Sequence, residues 1–293
     1  MRNAVILTYH SHRVLGNEYA VNDHVALRLD LVSIAATGHR IVPLERIVSA
    51  LEGRASGHES EGDEPWVAIT FDDGPAFDVR DFRHPRLGTQ PSFLRIMREF
   101  ARTPEGRRQD GLCATSFVIA SPAARRIMET TFDPRYTYLE PGSMSDDWWG
   151  SAARCGLIAI ANHSFDHLHC ALPEVAHSRQ ARGDFRKVLC NEDADRQIRD
   201  AARYIADRTE GRSVPFFAYP FGHWNAFLAD EYLPQARNGG EALVRAAFTT
   251  EPRAVASGES VWRLPRYVCG QDWNSPDELC AILKTGQPGR PAG

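Results

Sequence analysis

Trp66-Val67-Ala68-Ile69-Thr70-Phe71-Asp72-Asp73-Gly74-Pro75 is the stretch on which the reading of this chain turns. Its apolar run is too short for a helix, and a turn sequence stops it, so it reads as a buried strand. The two carboxylates stand at the C-terminal end of that strand. Consecutive side chains of an extended backbone point to opposite sides. Past the strand end the pair can therefore divide its work, with one carboxylate on a metal and the other facing a substrate. Asp-Asp-Gly-Pro is equally an ordinary turn, so the stretch acquires meaning only with partners.

Those partners are offered by His163-Ser164-Phe165-Asp166-His167. Histidines at i and i+4 meet on one face of a helical turn, and Asn162 and Ser164 could anchor that turn by hydrogen bonds. Two imidazoles and one carboxylate suit a divalent metal, and the second carboxylate is left as a base. That is the kit of metal-assisted hydrolysis. Two unrelated core or surface histidines would give the same spacing. His169 and Cys170 lie close by and read as supporting or structural. Ser164, Asp166 and His167 include the residue types of a serine hydrolase triad, but the chain has no G-x-S-x-G elbow. It also lacks a P-loop, a G-x-G-x-x-G turn and an EF-hand loop.

Working outward, short apolar runs alternate with helical patterns. Strands are expected at Ala4–Tyr9, Ile41–Val42, Trp66–Phe71, Cys113–Ala120, Leu157–Ala161, Val214–Ala218, Leu243–Thr249 and Val261–Leu264. Helices are expected at Leu27–Ala36, Leu44–Leu51, Phe93–Phe100, Pro122–Thr130, Met144–Cys155, Asn191–Arg208, Ala226–Ala236 and Pro276–Leu283. Gly53–Glu64 is polar and Gly-rich and reads as a loop, and 286–293 as a disordered tail. The alternation implies a mostly parallel α/β sheet, with the polar motifs following strand ends. In a β/α barrel those ends converge on one face. We read 1–285 as a single catalytic domain, with an insertion at about 76–111 lying over the barrel mouth.

With 293 residues, 43% apolar and 25% charged, the chain can bury a full core. The net charge of −4 and the absence of a basic block argue against nucleic acid; Lys187 and Lys284 are the only lysines. No apolar stretch reaches the length of a transmembrane span, and the N-terminus lacks signal-peptide layout. A cytoplasmic protein is expected, or an exported one if a leader has been trimmed. Six scattered cysteines with no C-x-x-C read as reduced thiols.

Four elements in order carry a resemblance. Thr70 to Pro75, Asn162 to His167 and Phe217-Ala218-Tyr219-Pro220-Phe221-Gly222 resemble the motifs of the polysaccharide deacetylase family (carbohydrate esterase family 4, the NodB homology domain). Leu7-Thr8-Tyr9-His10 resembles the opening of its poly-N-acetylglucosamine deacetylase branch. The resemblance implies a distorted (β/α) barrel of about seven strands and a hydrolase that removes N-acetyl groups from an amino sugar or polysaccharide. It implies that Asp73, His163 and His167 bind a divalent metal, zinc first, with Co2+, Ni2+ or Mn2+ also possible. Asp72 would be the general base toward a metal-activated water, and the Phe221 backbone N–H would meet the oxyanion.

Two positions depart from the family pattern. Where the third motif often carries a base-orienting arginine, this chain has Ala218. Arg266 in Leu264-Pro265-Arg266 is the candidate replacement, with Arg263 behind it. No histidine follows His223 to act as the acid toward the leaving amine. That role is expected at His10, with His12 a weaker choice. Aromatic faces suit sugar sites, so Trp148, Trp149, Tyr219, Trp224 and Trp273, with Pro220, are candidate substrate contacts. Trp148-Trp149, flanked by Ser145-Asp146-Asp147, suits an exposed platform, while each tryptophan taken singly is better read as partly buried in the barrel wall. The partner is expected to be an N-acetylated carbohydrate or another acylated small molecule. The alternatives are a deacylase of a non-polymeric amide, imide or O-acyl ester on the same fold, or a non-catalytic carbohydrate-binding barrel.

Overall fold

The computed structural model describes residues 4–53, 64–238 and 243–287. The loop expected at 53–64 and the tail expected at 286–293 fall almost wholly outside those residues. In chain order the elements are β1 (Val5–Tyr9), α1 (Asp23–Ala36), β2 (Arg40–Ile41), α2 (Leu44–Leu51), β3 (Trp66–Phe71), β4 (Phe82–His84), β5 (Gly88–Gln90) and α3 (Phe93–Phe100). Then come β6 (Ala114–Val118), α4 (Pro122–Thr131), α5 (Trp149–Arg154), β7 (Ile158–Asn162), α6 (Asn191–Ala194), α7 (Asp200–Arg208), β8 (Phe216–Ala218), α8 (Leu233–Asn238), β9 (Ala246–Phe248), β10 (Tyr267–Val268) and α9 (Pro276–Thr285).

Seven parallel strands lie in the order β10-β1-β3-β6-β7-β8-β9, and β2 pairs with the start of β3. This is a (β/α) half-barrel with flanking helices. β9 and β10 are linked by the run between them: Leu264 bridges Phe248 of β9, and three residues later Tyr267 pairs with Leu7 of β1. The strand expected at Val261–Leu264 is this bridging run.

Side-chain parity sorts the strands. Val5, Leu7 and Tyr9 of β1 and Val67, Ile69 and Phe71 of β3 face outward, onto Leu27 and Leu31 of α1, Phe93 and Met97 of α3, and Leu279 and Ile282 of α9. Ile6, Ala68, Phe117, Ala161, Phe216 and Phe248 face inward, and Leu44, Ile47 and Val48 of α2 plug the barrel beneath them. Above this apolar floor sit Thr8 and Thr70, whose hydroxyls are 2.9 Å apart. One step further along the same alternation come His10, Asp72 and His163. The barrel axis thus runs from apolar to ionisable, toward the C-terminal ends of the strands.

Local sequence sets the helix ends. Asn22 caps α1 by accepting the His24 and Val25 amides, so α1 starts four residues before its apolar pattern. Ser275 caps α9, Pro276 opens it, and Gly286 at φ +65° ends it. The 76–111 segment is not wholly a cover over the mouth: α3 is the crossover between β3 and β6 and packs beside α1. Only the stretch up to the small β4–β5 hairpin departs from the barrel. All six cysteines are free. No described helix is long and apolar enough to cross a membrane.

Candidate active site

The turn after β3 is built by two left-handed residues, Asp73 at φ +72° and Gly74 at φ +68°. A Cβ on Gly74 would stand 2.5 Å from Val118 Cγ1, so only glycine lets the turn lie against β6. The turn sends Asp72 inward and swings Asp73 across the mouth.

The second motif does not form a helical turn, as its spacing suggested. Ser164, His167 and Leu168 all have positive φ, and polar side chains hold the loop instead. Asn162 Oδ1 accepts the Ser164 amide at 2.8 Å, and Ser164 Oγ accepts the His167 amide at 2.9 Å. Asp166 accepts the Leu168 and Ala176 amides and the Gln197 side-chain amide. These local bonds compete with helix formation and win.

His163 donates from Nδ1 to the Ala218 carbonyl at 2.9 Å, which leaves the lone pair on Nε2. That Nε2 lies 3.5 Å from Asp73 Oδ1, and His167 Nε2 lies 3.6 Å from the same oxygen. One ligand atom from each of Asp73, His163 and His167 falls within 4.8 Å of the others. Ligands about 2.1 Å from a tetrahedral ion are about 3.4 Å apart, so both distances to Asp73 suit a cation between the three side chains. Burial and the neighbouring His163 push His167 down to about 3, which keeps its ring neutral, as a ligand must be. Burial raises the Asp73 carboxyl, but the hydrogen bond from His12 and the electrostatic pull of the surrounding His167, His12 and His163 rings outweigh it and hold it well below the usual range.

Arg266 lies level with Ile6 by register, because its neighbour Tyr267 pairs with Leu7. Its side chain runs up the barrel past the Phe117 ring and Thr70. Nη1 donates to Asp72 Oδ1 at 2.7 Å and Nη2 to Oδ2 at 2.8 Å. Both side chains are buried. Burial raises the Asp72 carboxyl; Arg266 and His163 outweigh this and leave it below its ordinary value. Arg263 lies instead over the Trp224 ring, its guanidinium carbon 4.7 Å from the ring centroid.

His10 and His12 stand side by side, ring centroids 5.5 Å apart. Burial lowers the His10 pKa, and Asp73 and Asp72 pull it partly back. His12, the weaker candidate, makes the direct contact: its Nε2 donates to Asp73 Oδ2 at 2.8 Å and its Nδ1 accepts from Thr137 Oγ1 at 2.5 Å. Sequence reading missed this relay, since Thr137 sits in a long loop with no motif. It also missed buried Asp78, which accepts hydrogen bonds from Ser11 and Ser116 and so ties down the residue between the two histidines.

The aromatic contacts need correction. Trp148 and Trp149 are 1% and 0% exposed and belong to the core, not to a platform. Their acidic flank misled: Asp146 is paired with buried Arg125 and bonded by Tyr204, and Arg125 covers Trp149. Tyr219 faces outward into the helix layer with its hydroxyl on the Trp262 carbonyl, and Pro220 is buried beside it. Trp273 is buried on Asp30. Trp224 is half-buried, bonded to Glu251 and covered by Arg263. Phe221 does reach the site: at φ +58° its ring packs 4.4 Å from that of His167 and remains 40% exposed.

A family model described as polysaccharide deacetylase matches residues 59–233. The chain belongs to the polysaccharide deacetylase family. As a member it is a deacetylase, a hydrolase acting on amide bonds. A sequence search of curated proteins found no match. Among solved structures, the deacetylase fold is similar to Streptococcus pyogenes deacetylase PplD in complex with acetate, at 17% identity, TM-score 0.58, covering 98% of this chain and 99% of that one. A de-N-acetylase from Aggregatibacter actinomycetemcomitans matches at 14% identity and TM-score 0.57, covering 95% of this chain and 99% of that one. IcaB from Ammonifex degensii matches at 18% identity and TM-score 0.56, covering 96% and 98% respectively. At such identities the likeness bears on the fold, which all three share with this deacetylase nearly end to end.

Proposed function

We propose that this deacetylase is metal-dependent, and that it removes N-acetyl groups from an amino sugar or polysaccharide within one catalytic domain. The observation that carries the reading is the Arg266 fork on Asp72, set beside the Asp73, His163 and His167 donor set. A divalent ion held there, zinc by its taste for imidazole and carboxylate, would polarise the amide carbonyl and acidify water. Cobalt, nickel and manganese suit the same donors.

The chain's own residues supply the rest. Arg266 keeps Asp72 ionised and fixes its plane, so Asp72 can take the proton of an attacking water as general base. The Phe221 backbone N–H, presented by a left-handed turn, donates to the carbonyl oxygen as it gains charge. His10 hands a proton to the departing nitrogen. Water adds to the carbonyl carbon, the C–N bond breaks, and the products are a carboxylate and an amine. The names of the structural neighbours, a de-N-acetylase among them, support N-acetyl substrates.

Asp72→Asn tests the reading. It should abolish acetate release from N-acetylated sugars, peptidoglycan fragments and small amides while elemental analysis still finds about one metal per chain. Retained turnover would remove Asp72 from the role of base.

A further inference from the structure

A cavity of about 350 Å³ opens beside the candidate site, and His12 and Asp73 form part of its wall. Ile119 after β6, Met128 of α4, and Phe132, Leu139 and Met144 supply the apolar part of the wall. Several polar side chains in the wall are already engaged. The Thr131 hydroxyl donates to the Ile127 carbonyl at 2.7 Å, the Thr137 hydroxyl bonds His12, and Asp133 pairs with Arg135. None of the wall comes from the 76–111 segment.

We propose that this cavity receives the hydrocarbon chain of an acyl group longer than acetyl, so that the deacetylase also takes medium-chain N-acyl substrates and favours them. The proposal rests on the amide-hydrolase reading of the adjoining site. A methyl group is close in size to a water, whose share of liquid volume is about 30 Å³. An acetyl group would therefore leave most of the cavity empty. A sugar ring in the same place would set hydroxyls against Ile119, Met128, Phe132, Leu139 and Met144, which offer them no hydrogen bond. A saturated chain has no such groups to satisfy and gains from leaving water. The polarity of the amide fixes which end enters. The leaving nitrogen has to meet His10, which is not part of the wall, whereas Asp73 of the donor set for the carbonyl is. The acyl side therefore faces the cavity.

The test uses the full chain with its metal and N-acetyl, N-butyryl, N-hexanoyl and N-octanoyl glucosamine. kcat/KM should rise roughly fourfold per added methylene until the cavity is full. A second readout needs no turnover: calorimetric titration of metal-free protein with acetate, butyrate, hexanoate and octanoate should show affinity rising in the same sense. Ala171→Trp, which places an indole into the wall at a half-buried position, should flatten both series. Acetyl as the best substrate, together with equal binding of all four carboxylates, overturns the proposal. So does a gain confined to N-acetyl amides with a lengthening amine, which would put the hydrocarbon on the leaving side. Carboxylate affinities that rise with length, without hydrolysis of any N-acyl substrate, would support the cavity assignment and reject the amide-hydrolase reading.

Discussion

Arg266 and Asp72, 194 residues apart in sequence, meet inside the barrel in a two-bond fork at 2.7 and 2.8 Å. Both are buried, Arg266 completely, so each leans on the other for a counter-charge. Removing one partner of a buried pair leaves an unmatched charge and costs about 3–5 kcal/mol. Arg266→Ala should lose that much stability in chemical denaturation and lower kcat roughly 10²-fold or more. Asp72→Leu combined with Arg266→Met should recover most of the stability and none of the turnover. A double variant as unstable as Arg266→Ala would show that the pair matters for more than its charge.

His12 and Thr137 form a relay behind Asp73 and hold one of its oxygens away from the histidine pair. Partners behind a ligand typically change metal affinity 10- to 100-fold. His12→Asn should weaken zinc retention within about that range in competition with a chromogenic chelator. Thr137→Val should act in the same direction with a smaller effect, and the two should not add, because they belong to one chain of bonds. Full additivity would argue for two separate actions.

Asp166 organises the histidine loop from within, serving two amides and Gln197. Asp166→Ala would orphan buried donors at about 1–3 kcal/mol each. A loss of about 3 kcal/mol is expected in urea denaturation, with weaker metal binding as the ring of His167 loses its setting. Unchanged stability would mean that solvent enters the loop and replaces the carboxylate.

Asp30 gives a pH signature remote from the chemistry. Burial pushes its carboxyl up to about 7, although Tyr19, Tyr9 and Trp273 donate to it and lower it in part. A raised folded pKa means that the native state holds the proton more tightly than the unfolded chain. The stabilisation is complete below about pH 4 and is lost as pH climbs through about 7. At about 1.4 kcal/mol per unit, the loss across that window is up to about 4 kcal/mol. Asp30→Asn should therefore reduce the slope of the stability profile between pH 4 and 7 in thermal melts, leaving the share of Asp78, whose buried carboxyl is also pushed up to about 7. An unchanged slope would assign it to another group.

Most strand and helix positions were legible because apolar runs and helical spacing are local properties. The parallel sheet followed from their alternation. Motif spacing also singled out Asp72, Asp73, His163 and His167, and the family resemblance pointed to Arg266; the fold brings the five together. Three things were not legible. The histidine spacing of four looked helical, but Asn162, Ser164 and Asp166 bond the backbone into a left-handed loop, an outcome that depends on Gln197 from another element. Trp148 and Trp149 looked exposed because Asp146 is acidic, yet that charge is answered by Arg125, which no local pattern links to it. His12 and His10 share one short stretch, and only the position of the Thr137 loop tells which of them reaches Asp73.

The bridging run from Leu264 to Tyr267 has a consequence for the order of events in synthesis. A nascent chain that ends before this run already contains Asp72, Asp73, His163 and His167. It has neither the seam between the sheet edges nor the cation that Asp72 requires. Its barrel would enclose an unanswered negative charge, and the contact that answers it spans most of the chain, the kind of pairing that forms late. Closure of the sheet and the appearance of a working base are thereby coupled: Arg266, carried by the run that joins the two sheet edges, is also the partner of Asp72.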